Sequence, residues 1–231
     1  MDYQIDLLIR DTKHVFLGID SVRVQLDENG FQEAFYTDMK TGLDLLTAKN
    51  KDQQESVKNF NKLTITQNEE VSISKDLLRR VYNSADSAYA DKPDKLAPFK
   101  VKERIPEAVK KISARLNYAG GLVEECKADL IGNGLTEEDC VNLKNQPDKL
   151  DNADVAQQDA LKKQKSATLA RDIAAEEQKL RLKKFRKFID ARFSNNPEIK
   201  ALFEPLTDGG GGGNSNDDDT PPDSPTPPPA Q

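Results

Sequence analysis

The sequence predicts an all-α fold: an elongated antiparallel helical bundle with coiled-coil-like heptad seams, followed by a disordered C-terminal tail. Three observations carry that reading. Apolar residues recur in steps of three and four along most of the chain, the spacing that winds helices left-handedly around one another. The composition is 36% hydrophobic and 32% charged, with 6% aromatic residues and no Trp, against about 45–50% apolar and ~25% charged in ordinary globular domains. A rod with a narrow core and much surface has that balance. The third observation is the abrupt change of composition near residue 207. It divides the chain into a helical bundle domain, 1–206, and a Gly/Asp/Pro-rich acidic tail, 207–231.

The first helix is read from Ile5, Leu8, Thr12, Val15, Ile19, Val22 and Leu26, which step by 3 and 4 in strict alternation. Ile9, Phe16 and Val24 widen the apolar face beyond a two-stranded seam, as a bundle requires. Asn29-Gly30 closes the helix, because Gly accepts the left-handed backbone of a C-terminal cap.

A second seam runs Phe31, Phe35, Met39, Leu43, Leu46, Asn50, Gln53, Val57, Phe60, and continues through Thr64, Gln67, Val71, Ser74, Leu78, Val81, Ala85 and Ala88. The stretch KLTITQNEEVSIS (62–74) interrupts it with β-branched residues and Ser, which are poor helix formers. The expectation is a break or kink there, with a small hairpin around QNEE as the alternative. Asn50, Gln53 and Gln67 at interior positions are read as devices that fix register at some cost in stability.

Pro93, Pro98 and Pro106 mark a connection, with Pro106 expected at the first turn of a third helix. That helix carries Ile105, Val109, Ile112, Leu116, Ala119, Val123, Cys126 and Leu130 on one side. Gly120-Gly121 inside it reads as a site of close helix–helix approach. After Gly132-Asn133-Gly134, Thr136-Glu-Glu-Asp139 resembles a capping box. It opens a short helix that Pro147 is expected to end. A long helix then runs from about 152 to Phe193, with Leu161, Leu169, Ile173, Leu180, Leu182, Phe185, Phe188, Ile189 and Phe193 as its apolar side, and EIKALFEPL adds a turn or two. The tail holds five consecutive glycines, a run of three aspartates and six prolines. It cannot bury enough apolar area to fold.

Charge is unevenly placed. Net charge is −6, yet residues 179–192 carry seven basic residues against Asp190, so the rest of the chain sums to −12. Lys179, Arg181, Lys183, Lys184, Arg186, Lys187 and Arg192 form the candidate surface for an anionic partner. An acidic protein, an anionic membrane with Leu182, Phe185, Phe188, Ile189 and Phe193 inserted, or nucleic-acid phosphates would each suit it. The competing reading is that these apolar residues face inward and the cations complement the helix C-terminus. No recognised nucleic-acid motif surrounds the segment, and the acidic net charge disfavours nonspecific nucleic-acid binding.

Residues for catalysis are scarce. His14 is the only histidine, so His-based triads, zinc clusters and paired Glu-x-x-His sites lack their parts. Adjacent acids such as Glu124-Glu125 point in different directions on a helix. No phosphate-cradling Gly-rich loop lies between a strand and a helix. The expectation is therefore no enzyme, no cofactor and no metal. Cys126 and Cys140 flank Asn133 at seven residues on either side. A helical hairpin turning there would place them at matching heights, either as a disulfide or as reduced facing thiols. No stretch approaches the ~18 apolar residues of a membrane span, and Asp2 and Asp6 oppose a signal peptide. A cytoplasmic protein is the expectation. Its expected role is structural or adaptor-like, acting through coiled-coil association with a protein partner or with itself. The alternative is a binding module using residues 179–193 on an anionic surface.

Overall fold

The computed structural model describes residues 3–206, and the tail called disordered lies outside them. Every regular element is helical: α1 (Tyr3–Ser21), α2 (Arg23–Glu28), α3 (Glu33–Ala88), α4 (Pro93–Leu96), a 3-10 turn (Ala97–Phe99), α5 (Val109–Ile131), α6 (Glu137–Arg192) and α7 (Pro197–Ala201). The expected helical bundle is therefore found. Its frame is a pair of 56-residue helices, α3 and α6, each about 84 Å long at 1.5 Å per residue. They run antiparallel: Arg181 meets Asp38 at 3.0 Å near one end, and Arg80 meets Asp139 at 2.9 Å near the other.

The second seam holds along its whole length, but the break expected at 62–74 does not occur. Thr64 and Thr66 donate their hydroxyls to the carbonyls of Phe60 and Lys62, at 2.9 and 3.3 Å. Such back-bonds are open to Thr in a helix. Across the pair, Gln67 donates to Asp154 at 2.6 Å, and Gln146 donates to Glu70 Oε2 at 2.6 Å and to Ser74 at 3.3 Å. Tertiary pairing overrides the weak local propensity.

Pro147 likewise fails to end its helix; it is buried inside α6. The Thr136–Asp139 capping box does form, with the Thr136 hydroxyl accepting from the Asp139 N–H at 3.0 Å and Asp139 accepting from the Thr136 N–H at 3.2 Å. A helical proline deprives the carbonyl four residues earlier of its donor, here Leu143. That oxygen is the nearest atom, at 3.9 Å, to the Cβ a residue at 120 would carry. Gly120 is thus in ordinary contact, and Gly121 faces open space. The tight approaches fall elsewhere: Gly18 against Phe203, and Gly42 against Gln178 and Arg181.

Helix α1 ends at Ser21 rather than running to residue 28, because Val22 (φ −127°, ψ 28°) breaks it from α2. Its seam is buried all the same, from Ile5 through Val15 and Ile19 to Leu26, whereas Val24 is exposed. Gly30 takes φ +90°, as its capping role requires. Pro106 lies ahead of α5, which starts at Val109, and Cys126 (φ −118°, ψ 19°) kinks that helix.

Two separate cores result. At one end α1, α2, α7 and the residues around them cover the N-terminal half of α3 and the C-terminal half of α6. Phe185 sits there at the centre, its ring 5.6 Å from Phe31 and 5.0 Å from Phe203. At the other end α5 and the 3-10 turn cover the remaining halves, around Leu78, Val81, Ile112, Leu116 and Leu143.

Candidate functional site

Between those cores lies a waist built from α3 and α6. On α3 no residue between Asn50 and Ser74 is fully buried; on α6 only Ala160 and Arg171 are, between Leu150 and Ala174. The α6 seam keeps a seven-residue repeat throughout. Leu143, Leu150, Gln157, Gln164, Arg171, Gln178 and Phe185 form one row, and Ala153, Ala160, Ala167 and Ala174 form the other. Apolar rows at both ends thus become glutamine and alanine in the middle. Small side chains let the backbones approach, and of the glutamines in the first row Gln178 donates across the pair to the Met39 carbonyl at 3.3 Å.

The short helices cover one side of this pair. Arg186 bonds to Asp11 of α1, while Asp151, Lys144 and Glu137 bond to Ser113, Glu124 and Lys127 of α5. These four α6 residues are 35, 7 and 7 residues apart, all multiples of the repeat, so they project to one side of the seam. Helix α1 therefore approaches from one end, reaching Asn50 with Asp6 (3.4 Å), and α5 from the other, where Glu107, just ahead of it, meets Lys75 at 2.9 Å. Between those two contacts roughly 35 Å of the α3–α6 groove carries no third helix among the described residues. Val57, Thr64, Val71, Leu161 and Thr168 are half-buried along it, and Val155 and Leu169 stand exposed beside it.

The basic segment divides into paired and unpaired residues. Lys179 is paired with Glu176 at 2.7 Å. Arg181 binds Asp38 at 3.0 Å and Glu177 at 3.5 Å, and the Asp38 carboxylate raises its pKa further. Arg186 donates to both Asp11 oxygens, at 2.7 and 2.8 Å, and to the Phe203 carbonyl at 2.9 Å. The same Asp11 carboxylate accepts from the Leu206 N–H at 3.0 Å, which makes Arg186 a structural clamp. Lys183, Lys184, Lys187 and Arg192 are exposed and make no ion pair among the described residues.

The apolar side of the long helix is two sides. Leu182, Phe185, Ile189 and Phe193 are buried in the core and Phe188 packs against it, so inserting them into a membrane would require opening that core. Leu169, Ile173 and Leu180 point away, each more than half exposed. An apolar cleft of about 290 Å³ lies next to Lys184, lined by Phe31, Phe35 and Phe188.

Cys126 and Cys140 are free thiols. Cys140 is buried, and loss of hydration pushes its pKa up. Burial also raises the Tyr89 phenol, with Cys126 and Asp129 adding to the effect; its hydroxyl donates to Asp129 at 2.9 Å. His14 is half-buried, and its Nδ1 has no hydrogen-bond partner among the described residues. No cluster of three or more His, Cys, Asp or Glu suited to a metal is present among those residues, and no helix there is long and apolar enough to cross a membrane.

Sequence reasoning missed the Asp11–Arg186–Leu206 clamp and the Gln178–Gly42 contact, since both join residues more than 130 positions apart. No family model matches the chain, and neither a curated protein nor a solved structure matches it.

Proposed function

We propose that the protein is a non-enzymatic structural or adaptor element that acts through helix–helix association, its own second copy included. The observation that supports this reading is the waist. Helices α1 and α5 cover the two ends of one face of the α3–α6 pair, and the half-buried row Val57, Thr64, Val71, Leu161 and Thr168 lies between them with no third helix over it among the described residues. A heptad seam that is apolar at its ends and polar in its middle selects partners by register as much as by buried area. We place the protein in the cytoplasm, where free Cys126 and Cys140 stay reduced.

Light scattering of the full chain over a range of concentration, at low and high salt, tests the proposal. Wild type is expected to form a discrete oligomer unaffected by salt. The double variant Val71→Glu/Leu161→Glu is expected to be monomeric with nearly unchanged melting, because both positions are only half-buried. A wild-type chain that stays monomeric at every concentration removes self-association. The second reading then leads: Lys183, Lys184 and Lys187 as a docking face for an acidic partner, favoured by their lack of ion-pair partners among the described residues of an otherwise acidic chain.

A further inference from the structure

The acids along the C-terminal third of α6 are all committed. Asp172 pairs with Arg171, Glu176 with Lys179, Glu177 with Arg181, and Asp190 with Lys200. Asp11 and Asp38, the acids brought in by neighbouring helices, are held by Arg186 and Arg181. Lys183, Lys184 and Lys187 stand on consecutive turns of the exposed side and make no ion pair among the described residues. Yet the chain carries five further acids and no basic residue after residue 206: Asp208, Asp217, Asp218, Asp219 and Asp223.

The structure also fixes where that segment starts. The Leu206 N–H is held at 3.0 Å on Asp11 Oδ1, and the same oxygen accepts from Arg186 at 2.7 Å. Arg186 lies between Lys183 and Lys187 on the same helix, one turn from the first and adjacent to the second. Leu206, to which the segment 207–231 is joined, therefore lies within about a turn of these lysines. Ten residues, five of them Gly, separate Leu206 from Asp217. A Gly-rich linker of that length spans roughly 16–19 Å root-mean-square, enough to reach around one helix.

We infer that the acidic segment Asp217–Asp223 of this same chain is the occupant of the Lys183–Lys184–Lys187 face. The individual pairs are exposed, and each is weak. The tether raises the local concentration of carboxylate to the millimolar range, so the segment covers the face at low salt and leaves it as salt screens the charges. An acidic partner for the same lysines would compete with these carboxylates. This inference rests on the basic face and is independent of whether the waist takes a helix.

The test is zero-length carbodiimide cross-linking of the full chain, read by mass spectrometry on an equal mixture of ¹⁴N- and ¹⁵N-labelled protein. Expected are cross-links from Asp217, Asp218, Asp219 or Asp223 to Lys183, Lys184 or Lys187, within one isotopic species and lost at high salt. Equal cross-linking to the waist lysines Lys162, Lys163 and Lys165, mixed-isotope products, or none at all would overturn it. As a second measurement, amine acylation of Lys183, Lys184 and Lys187 should speed up several-fold in the variant Asp217→Asn/Asp218→Asn/Asp219→Asn/Asp223→Asn. Lys58 and Lys62 should be unaffected. Equal rates at the three lysines in both proteins would also defeat the inference.

Discussion

The two ends of the molecule and its waist use the same pair of helices and the same seven-residue repeat, yet they are held together differently. At the α1 end Phe185, Phe31 and Phe203 meet edge to face, and Met39, Leu46 and Ile19 are fully buried. In the waist the corresponding rows are Gln157, Gln164, Ala160 and Ala167 facing Val57, Phe60, Thr64 and Gln67. A third helix makes the difference. With α1 or α5 in place, a seam residue loses its last open side and apolar side chains can be fully buried. With two helices alone, most seam residues keep a wet flank, and polar side chains sit there at little cost.

The largest test of that contrast compares two phenylalanines. Phe185→Ala should cost about 3–5 kcal/mol in urea unfolding. Phe60→Ala, at a half-buried waist position, should cost under about 2 kcal/mol because less area is withdrawn from water. Equal costs would mean that the waist is covered in solution and would strengthen the proposal that its groove is occupied.

Next in size is the clamp at the α1 end. Asp11→Ala removes the acceptor of three hydrogen bonds, two from Arg186 and one from the Leu206 N–H. It should lower stability by about 2–3 kcal/mol, since bonds to charged groups are the stronger kind. The waist pair offers the comparison: Asp154→Ala, which leaves Gln67 free to bond water, should cost less than half as much.

Two glycines should move in opposite directions. An added Cβ at Gly42 would run into Gln178 and Arg181, so Gly42→Ala should destabilise by about 1–3 kcal/mol, the usual range for overpacking. At Gly121 the Cβ meets nothing, and Gly121→Ala should stabilise by about 0.5–1 kcal/mol through the reduced freedom of the unfolded chain. A stabilising Gly42→Ala would show that α3 and α6 lie farther apart than described.

The last effect is a pH dependence at the α5 end. Burial raises the Tyr89 phenol, so the folded state holds that proton more tightly than the unfolded chain. The contribution is fully present below the ordinary phenol value of about 10 and is lost as pH rises above it. Unfolding measured at pH 9 and pH 11 should show a steeper loss for wild type than for Tyr89→Phe. Identical slopes would mean that the phenol is hydrated in the folded state.

Much of the fold is legible in the residues because heptad spacing is a local property that packing must respect. The rows read from Ile5 to Leu26 and from Met39 to Ala85 are the rows the structure buries or half-buries. Helix boundaries were less legible. The run 62–74 and Pro147 are both unfavourable to a helix by themselves, and both lie inside one, because bonds such as Gln67–Asp154 and Gln146–Glu70 repay the local deficit. The basic segment was visible as composition, but its division was not: Arg186 faces Asp11 and the Phe203 carbonyl, and its neighbour Lys187 is exposed.

By itself, then, the sequence determined the helical class, the seams, the caps at Gly30 and Thr136, and the charge contrast between residues 179–192 and the tail, since each depends on neighbours a few positions away. The tertiary structure decided that α3 and α6 are single rods and that α1 and α5 cover the same face. It also decided which cations are consumed by Asp11 and Asp38 and which remain exposed. Those outcomes depend on residues up to 195 positions apart, and no local pattern encodes which distant carboxylate a given arginine will meet.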